Sequence, residues 1–342
     1  MKTAITILVV FFVIGLVVAI ATLVFGFGSF SESLPKGKGG IYEFNDSARD
    51  HFRLFPGSAG LSVSDLVFSK ANKDVIYVGT LGNGIWVSKD NGENFIKAKD
   101  KIFSGKVDVY DIEEDSSGSL YSSVYSYADD RGSLVYSSYP PESSAEIYFS
   151  SISKFGVFGS SVDQGSILII SSDGGFYRSI NNGKSWEVRS RQDEGLLKIE
   201  SFGGTNYVLT SDEKILATPD LGKTWKNISP QKGFGKAGIA SFHMDKRTGY
   251  LVALSDQILF SQNRGVSWRE LNLLVPPGEL PIIAVSISPA NSNTIYASSE
   301  KILYKSTDGG NSWSIFEIPT ESKITSLFVD SQRPNSLFIG TK

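Results

Sequence analysis

The sequence predicts an all-β fold, a seven-bladed β-propeller of four-stranded blades, preceded by one N-terminal transmembrane helix. Three observations carry this. One eight-residue turn motif recurs at intervals of about forty residues. The two ends of the chain supply complementary halves of one further blade. The first 28 residues are almost wholly apolar.

The motif reads Ser/Thr-x-Asp/Asn-x-Gly-x-x-aromatic. Its first copy places Ser88, Asp90, Gly92 and Phe95, and its second Ser179, Asn181, Gly183 and Trp186. The third has Thr218, Asp220, Gly222 and Trp225, and the fourth Ser261, Asn263, Gly265 and Trp268. The fifth has Ser306, Asp308, Gly310 and Trp313. Successive starts differ by 218 − 179 = 39, 261 − 218 = 43 and 306 − 261 = 45 residues. The first interval, 179 − 88 = 91, is two periods, so one copy has decayed. Leu134-Val135-Tyr136-Ser137-Ser138 aligns with Ile302-Leu303-Tyr304-Lys305-Ser306, and residues 139–145 replace the motif that should follow.

Each copy lies between strand-like runs, which makes it a hairpin turn. The hydroxyl and the carboxylate or amide can bond nearby backbone N–H groups and hold the turn closed. The glycine supplies a positive φ. The aromatic is expected to fold back over its own hairpin and bury apolar area. Two more strands precede each hairpin, giving four strands per period, the content of a propeller blade.

The C-terminal runs 324–329 and 336–342 provide only two strands. Residues 40–46 align with residues 84–90, and a further strand runs through Phe52-Arg53-Leu54-Phe55. Residues 40–56 are therefore expected to form the outer hairpin of the blade that the C-terminus begins, which protects both open sheet edges. Six blades between about residues 61 and 320 then make seven with this composite one.

No charge occurs between Lys2 and Glu32. As a helix, residues 4–27 would span roughly 36 Å, enough to cross a bilayer. A cleaved signal peptide is the alternative, with a small-residue site at Ala19-Ile20-Ala21, but the apolar run is long for one. The expected organisation is a signal-anchor helix over 1–28, a flexible tether over 29–39 and the propeller over 40–342. Lys2 favours a cytoplasmic N-terminus and an extracytoplasmic propeller, although Lys36 and Lys38 flank the other end.

The motif resembles the Asp-box, or BNR, repeat of sialidases, sortilin-type receptors, xyloglucan-degrading glycosidases and photosystem II stability/assembly factors. The resemblance covers nearly all of residues 40–342. Size and blade count are most similar to the assembly-factor type. It implies a propeller whose boxes are structural, and it leaves function open.

Composition removes several functions. A net charge of −3 gives no electrostatic footprint for nucleic acid. The absence of cysteine excludes disulfides and thiolate chemistry, and two histidines, His51 and His243, are too few for a multi-histidine metal site. The resemblance to sialidases implies three converging arginines, and Arg131, Arg178, Arg189, Arg191, Arg247, Arg264, Arg269 and Arg333 show no matching placement. Asp111, Glu113, Glu114 and Asp115 could be a glycosidase pair or a cation site. The simpler reading is a solvated strand end. Asp129-Asp130-Arg131-Gly132 reads as an exposed hairpin tip, and His243 as a satisfied residue of an inner strand. The box carboxylates suggest calcium, but their backbone bonds account for them. No catalytic residue, cofactor or metal site is expected. The reading is a membrane-anchored, non-enzymatic scaffold for a protein or peptide, with a carbohydrate-active enzyme or glycan-binding module as the alternative.

Overall fold

The computed structural model describes residues 39–45, 52–137, 145–151, 154–163, 166–230, 238–273, 275 and 281–342. The expected anchor over 1–28, most of the tether, His51 and nearly all of the decayed box lie outside these residues. Among the described residues no helix is long and apolar enough to cross a membrane.

The described strands form seven antiparallel sheets of four strands. The inner strands, in blade order, are Val63–Phe68, Val107–Glu114, Val157–Asp163, Leu196–Phe202, Ser241–Met244, Ala284–Ile287 and Ile324–Val329. In the last sheet the order is Phe52–Leu54, Gly40–Phe44, Leu337–Thr341 and Ile324–Val329. Gly40 pairs with Thr341 and Phe44 with Leu337. The expected closure is therefore formed.

The second strand of each complete sheet is the most apolar. Ile76–Thr80, Leu251–Leu254 and Ile295–Ser298 are buried at every position. Both faces of a blade are covered by neighbouring blades, so these strands lack polar–apolar alternation. One cluster of Ile41, Phe55, Leu61, Leu66, Ile76 and Phe338 fuses the closing blade to the first.

The boxes close their turns as the residue types predict. Gly92 N–H donates to Ser88 Oγ at 2.8 Å, and Asn94 N–H to Asp90 Oδ1 at 2.9 Å. The same pair of bonds recurs at Thr218 and Asp220, 2.7 and 2.8 Å, and at Ser306 and Asp308, 2.7 and 2.9 Å. The residue before each glycine is also left-handed: Asn91, Asn182, Leu221 and Arg264 have φ of 54 to 59°, and Gly309 has 73°. Two successive positive φ values are the signature of a type I′ turn, which matches the twist of a hairpin.

The aromatic does more than cover its own hairpin, which is all that the sequence led us to expect: Trp186 Nε1 does donate to Gly183 O of its own box at 3.1 Å, but the ring extends further. It reaches the outer strand region of the preceding blade. Trp268 Nε1 donates to Ile228 O at 2.8 Å, Trp186 Nε1 to Tyr148 O at 2.8 Å, and Trp225 Nε1 to Ser190 Oγ at 3.0 Å. The glycine meets the same surface: a Cβ on Gly265 would stand 2.6 Å from Ile228 Cδ1. Each box is thus both a turn and a fastener between blades. A hairpin alone offers the indole no such apolar cover.

Candidate functional site

Along the inner strands and the turns that follow them, polar side chains reach the next blade. There they form a chain of polar bonds around the ring. Ser64 Oγ donates to Val109 O at 2.6 Å, and Asp65 accepts from Ile112 N at 2.7 Å. Asp111 accepts from Ser160 N at 2.9 Å and Ser160 Oγ at 2.8 Å. Ser161 and Ser201 hydroxyls share a bond of 2.9 Å, and Lys198 Nζ donates to Phe242 O at 2.8 Å. His243 Nδ1 accepts from Ile287 N at 3.2 Å. Ser288 Oγ donates to Pro334 O at 3.3 Å, and Thr325 Oγ1 returns to Val63 O at 3.2 Å. All seven blade interfaces carry at least one such bond. Inner edges exposed to a channel need polar partners that the apolar blade faces cannot supply.

A charged group lies inside this ring. Glu200 sits between Lys198 at 3.2 Å and Lys246 at 2.5 Å, and its side chain is only 11% exposed. Burial works against its ionisation, but Lys246 and Lys198 outweigh burial and hold the carboxyl at about 2. Burial pushes Asp65 up to about 6. Burial, with the Asp65 and Glu113 charges, pushes Asp111 well up. Burial also raises Glu113 to about 7, with Lys246 pulling the other way. His243 is pushed down to about 4 by burial, against the attraction of Glu200, so it is neutral at pH 7.

These positions correct the reading of 111–115 as a solvated strand end. Asp111 and Glu113 are half-buried on the inner strand, and Glu114 is buried. Glu114 accepts from Ser69 Oγ at 2.6 Å and Lys70 N at 2.5 Å in the first blade. Only Asp115 behaves as a turn residue, accepting from Ser117 N at 2.8 Å. Asp129 is at an exposed tip as expected, with Asp130 bonded to Tyr125 Oη at 2.5 Å. Lys198, Glu200 and Lys246 were not singled out in the sequence. Asp65, Asp111 and Lys198 each follow the bulge of their inner strand, and Glu113 and Glu200 lie two residues further on, a register that only the strand pairing reveals.

Among the described residues, Glu113 carries no hydrogen bond or ion pair, whereas Asp65, Asp111 and Glu200 are committed to neighbours. No group of three His, Asp or Glu suited to a metal ion occurs among the described residues. Among the described residues the channel therefore presents the unbonded Glu113 carboxyl beside the lysine-clamped Glu200. Such a surface can bind a cationic or hydrogen-bonding group. Among the described residues no second uncommitted carboxylate stands beside Glu113 in this cluster.

Face matters as well. In a four-stranded meander, turns between the first and second strands share a face with the boxes. Asn91 N–H bonds to Asp74 O and Gly309 N–H to Asn293 O, each at 2.8 Å, which joins the two turn types. Glu113 and Lys246 lie at this end of their inner strands. Gly40, where the chain enters the propeller, lies at the opposite end of its strand, paired with Thr341.

No family model matches the chain. It is 28% identical over 121 residues to vacuolar protein sorting/targeting protein 10 of Coccidioides posadasii, which is 32% of this chain and 8% of that protein. The same protein of Schizosaccharomyces japonicus is 26% identical over 121 residues, again 8% of its length. Among solved structures, YCF48 from Cyanidioschyzon merolae has a TM-score of 0.63 at 11% identity, covering 82% of this chain and 95% of that one. YCF48 bound to D1 peptide has 0.65 at 12% identity, covering 91% and 100%. A GH74 xyloglucanase from Xanthomonas campestris has 0.67 at 16% identity, covering 91% of this chain and 52% of that one. The chain is a seven-bladed propeller similar in fold to all three. At these identities the likeness is one of fold.

Proposed function

We propose that this propeller is a non-enzymatic scaffold that binds a protein or peptide segment at the channel mouth on the box-turn face. The observation that carries the reading is the uncommitted Glu113 carboxylate beside the Lys198–Glu200–Lys246 cluster. It offers an approaching chain an unsatisfied acceptor, and a basic side chain there would oppose the burial that raises Glu113 and Asp111. The fold likeness to a YCF48 structure bound to D1 peptide, and the partial sequence likeness to a sorting/targeting protein, support a polypeptide ligand. In this proposal residues 1–28 anchor the chain in a membrane, and the box-turn face, at the end of the propeller opposite Gly40, serves an extracytoplasmic partner.

The test is binding of a library of basic and neutral peptides to the full chain in mild detergent. Peptides with lysine or arginine are expected to bind, with affinity about tenfold lower after Glu113→Gln, the loss of one charge-assisted contact. Equal binding by neutral peptides, or indifference to Glu113→Gln, would remove the reading. The glycan alternative draws on the Glu113 carboxyl held near 7, the protonation range of a general acid, in a fold shared with a xyloglucanase. Hydrolysis of an oligosaccharide panel, lost in Glu113→Gln, would establish it instead.

A further inference from the structure

A second concave surface lies away from the channel, at the seam between the closing blade and the first. It is a cleft of about 390 Å³, lined among others by Glu43, Arg53, Asp74, Asn91, Lys73 and Arg333. That volume fits a side chain or a small organic acid. Every wall comes from a different part of the chain: the closing hairpin, the turn after the first inner strand, the first box and the turn after Val329.

Arg333 is the uncommon residue here. Its guanidinium lies 4.2 Å from the Phe68 ring centroid and 6.0 Å from that of Phe338. Nη2 donates to Lys73 O at 2.8 Å. Among the described residues, no carboxylate stands within ion-pair distance of it. Burial lowers its pKa, with Asp330, Glu43 and Asp74 opposing. A stacked, pinned guanidinium has lost the rotamer freedom that binding would otherwise remove, and it keeps most of its five donors unspent. Arg53, by contrast, is occupied by Glu43 at 3.8 Å and Glu93 at 2.9 Å. Glu43 also accepts from Ser336 Oγ at 2.7 Å.

We infer that this seam cleft is a binding site for a single carboxylate, with Arg333 as its anchor and Lys73 at its rim. The charges limit the class of anion. Arg53, Lys73 and Arg333 face Glu43 and Asp74 among the lining residues, and Glu93 and Asp330 stand against Arg53 and Arg333. With this many carboxylates at the seam, a singly charged carboxylate is admitted more readily than a dianionic phosphate. The carboxylate can belong to a free organic acid or to an acidic side chain of a polypeptide. The site is independent of the channel reading, since Glu113 does not line it.

The probes are butyrate, inorganic phosphate, and an acetylated, amidated peptide carrying one glutamate, with its glutamine counterpart. Binding to the full chain in mild detergent is followed by calorimetry. We expect butyrate or the glutamate peptide to bind, phosphate and the glutamine peptide to bind at least about tenfold more weakly, and Arg333→Gln to reduce binding by a similar factor. Preference for the peptide over butyrate would assign the polypeptide source, and the reverse the free acid. Arg333→Lys keeps charge and stem but loses the planar fork, so partial retention is expected from it. Both variants are compared only where thermal unfolding is still cooperative. Tight phosphate binding, no binding of either carboxylate, or binding unchanged in both folded variants would overturn the inference.

Discussion

Gly92 of the first box lies flat against Phe55 of the hairpin supplied by the N-terminal end. A Cβ at Gly92 would stand 2.7 Å from Phe55 Cδ2, and its φ is +91°. Phe55 itself is fully buried between the closing and first blades. This contact ties the ring at the seam where the two ends of the chain meet.

Gly92→Ala is therefore expected to destabilise the propeller by roughly 2–4 kcal/mol, from left-handed strain and overpacking together. Phe55→Ala should cost about 3–5 kcal/mol by cavity formation. Urea unfolding measures both. The double variant should lose less than the sum, because removing the ring admits the new methyl. Additive losses would mean that the two residues do not share one contact.

Removal of residues 323–342 takes away both inner strands of the closing blade and leaves Gly40–Phe44 without Leu337–Thr341. The unfolding midpoint should fall sharply, and bis-ANS should bind the exposed edge in native buffer. An unchanged midpoint would contradict closure by the two termini.

Trp268→Phe keeps the apolar contact of the fourth complete box but removes its bond to Ile228 O. The expected loss is about 1–2 kcal/mol, a net hydrogen bond with some unfilled volume. Were the ring packed on its own hairpin, Ile228→Ala would leave that loss unchanged. Here it should alter it, and a double-mutant cycle would read the coupling.

The channel carboxyls give stability a pH signature. Burial raises Glu113 from 4.5 to about 7. Its folded value lies above its unfolded one, so the native state gains from protonation. That gain is complete below about 4.5 and disappears as pH rises through about 7. Glu200 is opposite, held at about 2 by Lys246 and Lys198 in spite of burial, so its contribution is present above 4.5 and lost as pH falls toward 2. His243, lowered from 6.5 to about 4 by burial, adds stability present above 6.5 and lost on the way down to 4. Glu113→Gln removes the first of these alone. At pH 8 the variant should be more stable than wild type by on the order of 1–2 kcal/mol, after discounting for solvent in the channel. Near pH 4 the two should coincide. A constant difference across pH would disconnect Glu113 from the shift.

Repetition in the sequence was sufficient for the blades. Ser88, Asp90 and Gly92 recur with their spacing because a tight turn needs a hydroxyl, an acceptor and a positive φ at fixed positions, and such local requirements are written in consecutive residues. The alignment of residues 40–46 with 84–90 likewise disclosed the closing hairpin, because a strand keeps its pattern wherever its partner comes from. Two things were decided only by the tertiary structure. The direction of the box aromatics depended on the neighbouring blade, which provides the apolar surface a lone hairpin lacks. The charged channel and the seam cleft depended on bringing together residues such as Glu113 and Lys246, or Arg53 and Arg333, that are far apart in the chain. Electrostatic and binding properties arise from distances in space and from burial, and neither is a property of the residue order alone.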